Sequence, residues 1–145
     1  MRTPINITRL SDTSVQTPGQ ERLGLSLRHP LLDVVRGVDL MGSDEALLEI
    51  LETVNTSLRA AIPDIWSALE VDDVSQANHL LHCIRGYAPI LCSDPLIDQI
   101  AQVELASKTE SCAHVIALFS ELAPRLDALL VEIQTYMSTQ SSRRS

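Results

Sequence analysis

The chain has 145 residues, enough for one domain with one sizeable core, and a formal net charge of −8, which opposes non-specific nucleic-acid binding because no excess of Lys and Arg exists to displace counterions. A hydrophobic fraction of 45% excludes full disorder, while the scarcity of aromatics (Trp66, Tyr87, Phe119, Tyr136) and the five glycines argue against a β-sandwich or barrel and for aliphatic helices. No apolar run approaches the ~20 residues of a membrane span, no long apolar N-terminal segment reads as a signal peptide, and three cysteines (Cys83, Cys92, Cys112) make no disulfide framework, so reduced thiols in a cytoplasmic chain are expected.

Residues 1–28 read as a flexible leader: Thr, Ser, Gln, Pro and Gly dominate from Ser11 to Gln20 without periodicity. A helical domain is expected over 29–138, followed by a C-terminal tail at 139–145. Pro30 suits the first position of a helix, and Leu31, Leu32, Val34, Val35 and Val38 give a short amphipathic helix ending near Gly42. Ser43 is a good N-cap for a second helix with Asp44 and Glu45 in its positive first turn. Leu47, Leu51, Val54, Leu58, Ala61, Ile65 and Leu69 then form one stripe at spacings of three and four, with a kink expected at Pro63.

Asp73 caps a third helix, with Gln76 placed for a capping-box contact and a stripe of Ala77, Leu80, Leu81, Ile84, Ala88 and Leu91. Ser93-Asp94-Pro95 stops it and starts a fourth helix, which carries Leu96, Ile100 and Val103 and fades at Lys108. Ser111 caps a fifth, striped by Val115, Leu118, Phe119, Leu122, Leu126, Leu129, Leu130, Ile133 and Met137 and bent at Pro124. Each stripe needs a shared core, and the short connections force antiparallel neighbours. The expected fold is all-α: an antiparallel four-helix bundle with the short first helix laid across one end.

On a helical wheel with Ala77 at zero, the apolar residues of the third helix lie within about 60°, whereas His82 falls at about 140° and Gly86 at about 180° on the outer face. Arg85, at i+3 from His82, falls at about 80°. An exposed imidazole with a bare patch beside it and a guanidinium in reach is therefore expected. A mid-helix glycine costs ~1 kcal/mol relative to alanine. Either another molecule must approach His82 closely, or Gly86 is a weak point just before Pro89. A neutral imidazole is a competent nucleophile toward an activated phosphoryl group, and Arg85 is suited to hold phosphate oxygens. The chain has no glycine-rich phosphate loop and no Ser/His/Asp signature.

His82-Cys83-Ile84-Arg85-Gly86 resembles the phosphoacceptor motif of histidine-containing phosphotransfer (HPt) domains, which reads His, any residue, apolar, Lys or Arg, Gly. Asp39 to Glu45 is similar to the start of that family's second helix, Pro63 sits where many members carry a proline, and Asp73 caps the acceptor helix at the usual distance. Leu96, Ile100, Val103 and Glu104 resemble the family's pattern in the next helix, so the likeness spans roughly residues 31–137. The resemblance implies a four-helix phosphocarrier of a two-component phosphorelay and not an enzyme. His82 would take a phosphoryl group from a receiver-domain aspartate of a hybrid sensor kinase and pass it to a response regulator. Arg85 would be the phosphate-side cation, and Gly86, His79 and Asn78 the access and docking positions. No cofactor is expected on this chain, Mg²⁺ belonging to the partner receiver; a monomer without nucleic-acid or membrane partners is expected. Tyr87, Pro89 and Cys92 depart from the family's pattern. The alternative is a helical protein-interaction module that carries no phosphate, with His82 buried or blocked by Tyr87 or the leader.

The remaining residues have ordinary readings. His79 is a solvated surface histidine; with His82 it has the spacing of a two-histidine metal site, but no third ligand is near in sequence, so no metal is expected. His29 and His114 face solvent, Cys83 is a semi-exposed thiol, the acidic residues of the second helix form its solvated face, and Trp66 packs in the core or at its rim.

Overall fold

The structure, a computed structural model, describes residues 30–144; the leader and His29 lie outside them. It is built from five helices: α1 (Val34–Met41), α2 (Asp44–Glu70), α3 (Val74–Leu91), α4 (Asp94–Thr109) and α5 (Cys112–Arg144). Helix α3 packs on α2 and α4, α5 packs on α2 and α4, and α1 lies on α2 and α3. With connections of two or three residues between α2, α3, α4 and α5, sequential neighbours run antiparallel, giving the expected four-helix bundle with an added short helix.

The helix boundaries follow from the caps. Ser43 Oγ accepts from the Ala46 N–H at 3.1 Å and starts α2. Asp73 Oδ1 accepts from the Gln76 N–H at 3.1 Å and starts α3. The reciprocal half of the anticipated capping box is not needed, because the Asp73 N–H already donates to the Ala68 carbonyl at 2.8 Å. Ser111 Oγ accepts from the His114 N–H at 3.2 Å and opens α5. Gly42 ends α1 at a φ of 96°, a conformation in which glycine avoids the steric cost. Helices α2 and α5 run unbroken through Pro63 and Pro124, and both prolines are exposed. The segment expected as a tail at 139–145 continues α5 as far as Arg144.

The start of α1 differs from expectation. Pro30 does not open it; the helix begins at Val34, capped by Asp33, whose Oδ1 accepts from the Arg36 N–H at 3.0 Å. Residues 31–33 instead form a strap along the end of α3. The Asp33 N–H donates to the Leu91 carbonyl at 2.7 Å, and the Ser93 N–H to the Leu31 carbonyl at 2.8 Å. The N–H groups of Leu31 and Leu32 both donate to Oε1 of the buried Glu132, at 3.0 and 2.9 Å. Arg36 closes the corner by donating to the Cys92 carbonyl at 2.8 Å and to Asp94 Oδ1 at 2.7 Å. A helix starting at Pro30 would forgo these pairings.

The core is aliphatic, as the composition requires: Leu47, Leu51, Leu58, Ile65, Leu81, Ile84, Leu91, Leu96, Ile100 and Leu122 are fully buried, with Phe119 the one large aromatic among them. Each such side chain contributes about 1.5–3 kcal/mol relative to exposure. All seven stripe residues expected on α2 are buried, whereas Leu80 and Leu118 are only half-buried. Trp66 stands edge-on to Phe119 with ring centroids 4.8 Å apart, at the rim. Gly37 lets α1 approach α2 closely, since a Cβ there would fall 2.7 Å from Leu47 Cδ1.

Candidate functional site

Helix α3 turns its apolar stripe to the core, which fixes the direction of its other residues. His82 therefore stands outward, with a side chain 67% exposed. One turn further along, Gly86 leaves open space: nothing lies within 4 Å of where a Cβ would sit. The helix continues through Gly86 to Leu91, so the glycine serves neither packing nor a break in the helix.

Beneath the histidine lies a buried carboxylate. Glu104 of α4 is 1% exposed in its side chain, yet it faces the seam between α3 and α4 and gathers polar groups from both. Arg85 Nη1 donates to Glu104 Oε1 at 2.9 Å. Lys108 Nζ, one turn along α4, lies 3.2 Å from Oε2. The Nδ1 atom of His82 lies 3.6 Å from the same Oε2. Asn78 Nδ2 donates to the Glu104 carbonyl at 3.2 Å and to Ser107 Oγ at 2.8 Å, while Ser107 Oγ donates back to the Glu104 carbonyl at 2.6 Å. Burial pushes the Glu104 carboxyl up, but Lys108 and Arg85 outweigh it and hold the group below the ordinary carboxylate value. Glu104 is thus a fixed anion under an exposed imidazole.

This arrangement biases the ring electrostatically, since Nδ1 stands 3.6 Å from Oε2. A carboxylate only accepts hydrogen bonds, so it favours the tautomer with the proton on Nδ1, leaving the Nε2 lone pair toward solvent.

Of the residues expected at the site, the structure brings His82, Arg85 and Asn78 together around Glu104, with Gly86 beside them. His79 is exposed on the same helix and takes no part in the bonds at Glu104. Arg85, half-exposed, spends at least one of its donors on Glu104. Tyr87 does not cover His82; it is half-buried, its hydroxyl lacks a hydrogen-bond partner, and burial pushes its phenol up. Cys83 is exposed, whereas Cys92 is buried and its thiol is pushed up to about 12 by that burial. Among the described residues no group of three or more His, Cys, Asp or Glu is placed to hold a metal ion, and no helix is long and apolar enough to cross a membrane.

Glu104 as the hub, with Ser107 and Lys108, was not among the residues singled out for chemistry. A signal was present: Glu104 lies at i+4 from Ile100, on the apolar stripe of α4, where a carboxylate must be buried and hence paired. Lys108 at i+4 from Glu104 supplies one partner on the same helix. None of the protein-family models, curated proteins or solved structures compared with the chain matches it.

Proposed function

We propose that the chain is a histidine phosphocarrier of a cytoplasmic two-component phosphorelay. In the forward step the Nε2 lone pair of His82 attacks the phosphorus of a receiver-domain aspartyl phosphate. The N–P bond forms as the acyl O–P bond breaks, and the aspartate carboxylate leaves with the bonding electrons. The ring, protonated on Nδ1, gains positive charge, which the Glu104 carboxylate 3.6 Å away stabilises. Activation of the acyl phosphate belongs to the receiver and its Mg²⁺, so this chain acts as nucleophile and docking surface and not as an enzyme. The observation that carries the reading is the exposed His82 with one ring nitrogen set against a buried carboxylate and open space at Gly86.

The exposed face continues from His82 through Gly86 to Pro89, and the exposed Val35 and Leu40 of α1 line an open depression with Pro89, rimmed by the charged Asp33, Arg36 and Asp39. A receiver would meet a mixed surface there, with apolar side chains to bury and charged ones around them.

Incubation with a phosphorylated receiver domain is expected to label the protein with an acid-labile, alkali-stable phosphate. His82→Gln abolishes the label while the helical circular-dichroism signal persists; undiminished labelling of that variant removes His82 as the acceptor. A wild-type chain that takes no label from any receiver of its own cell favours the interaction-module reading. Gly86→Glu fills the open space and slows transfer, while thermal unfolding shows equal or greater stability, because leaving glycine gains up to ~1 kcal/mol of helix propensity. An unchanged transfer rate in that variant refutes the access role of Gly86.

A further inference from the structure

We propose that the backbone carbonyl of Arg85, deprived of its helical donor by Pro89, is a docking acceptor for a hydrogen-bond donor of the receiver domain. This contact rests on the phosphocarrier reading and adds to it a main-chain group and the residue that releases it. In a regular helix the Arg85 carbonyl accepts from the N–H of residue 89. Proline has no N–H, and its ring crowds the carbonyl four residues back. Helix α3 nevertheless runs through Pro89 to Leu91, so the missing bond lies inside the helix and not at its end.

Pro63 in α2 and Pro124 in α5 take the donor from Arg59 and Ser120 in the same way, but there the next residues, Ala60 and Glu121, carry side chains. The residue after Arg85 is Gly86, which is exposed and has open space where a Cβ would stand. Of these three helices only α3 combines a residue that removes the donor with one that removes the side chain beside the acceptor. The Arg85 guanidinium is directed to Glu104 Oε1, at 2.9 Å. On the helical wheel with Ala77 at zero, Pro89 falls at about 120°, within about 20° of His82. Arg85 lies about 4.5 Å along the helix axis from His82. A partner that reaches Nε2 and covers a patch of about 800 Å² lies over this carbonyl as well. An acceptor covered by a partner and left unpaired is costly, so a receiver that fits this face brings a donor to it.

The test compares three forms of the full chain with a receiver domain that labels wild-type His82: wild type, Pro89→Ala, and Pro89→Ala with the amide between residues 88 and 89 replaced by an ester. Pro89→Ala restores the N–H and closes the helix bond, whereas the ester form keeps the alanine side chain and removes the N–H again. KM for the phosphorylated receiver should rise roughly three- to tenfold in Pro89→Ala, the range of one net hydrogen bond, with kcat near the wild-type value. The ester form should return KM toward wild type. Thermal unfolding should run the other way. Pro89→Ala gains a helix bond and should melt above wild type. The ester form weakens the Ala88 carbonyl, which accepts from the Cys92 N–H at 2.8 Å, and should melt below Pro89→Ala. A merely structural role for Pro89 moves docking and stability together. Equal KM in Pro89→Ala and its ester form overturns the contact, because the two differ only in NH against O, while labelling of wild-type His82 leaves the relay reading intact. A wild-type chain that no receiver labels removes the relay reading and this contact with it.

Discussion

Glu104→Gln is expected to destabilise the bundle by about 1–2 kcal/mol and to slow transfer to His82 on the order of tenfold, which corresponds to 1.4 kcal/mol in the barrier. The substitution keeps the shape and one acceptor oxygen but removes the charge that Arg85 and Lys108 share. The cost stays below that of breaking a fully buried ion pair because both cations are half-exposed and remain solvated when released. The transfer defect has a separate cause: an amide can present its NH₂ to His82 Nδ1, which favours the opposite tautomer and takes the lone pair away from Nε2. The pH dependence has a definite sign. Glu104 is held below its unfolded value, so its contribution is fully present above that value and is lost as pH falls through the folded one. Urea titrations in acid should therefore show a steeper loss of stability below about pH 4 in the wild type than in Glu104→Gln. Parallel acid limbs in the two proteins refute this account of Glu104.

Glu132→Leu should be more costly, at roughly 2–5 kcal/mol, because it leaves two buried backbone N–H groups, those of Leu31 and Leu32, without an acceptor. Glu132→Gln retains a carbonyl oxygen and should cost about 1 kcal/mol. Thermal unfolding separates them: at this size 1 kcal/mol corresponds to about 3–6 °C, so the leucine variant should melt on the order of 10 °C lower, and the glutamine variant only a few degrees lower. Equal melting temperatures for the two variants show that the strap is not held through Glu132.

The helices were legible in the sequence because each rule acts locally. Ser43, Asp73 and Ser111 mark the starts of α2, α3 and α5, and stripes at spacings of three and four mark the buried faces. The outward direction of His82 and Gly86 was legible for the same reason, since the apolar residues of α3 fix every other direction on that helix. What was not legible depends on partners distant in sequence. Residues 31–33 read as helix because Glu132, about a hundred residues away, does not show in a local pattern. Glu104 was visible as part of a family-like pattern, but its burial against Arg85, Asn78 and His82 requires the packing of α4 on α3. The proton arrangement on His82 follows from that packing and not from the five-residue motif.

The pairing of the Leu31 and Leu32 amides with Glu132 also sets a limit on how short a working fragment can be. A truncation that begins at the first helical residue, Val34, keeps every helix yet strands a carboxylate inside the protein and strips the cap from α1. A minimal version designed from helix boundaries alone would thus unfold at a lower temperature than one starting a few residues earlier, at or before Leu31.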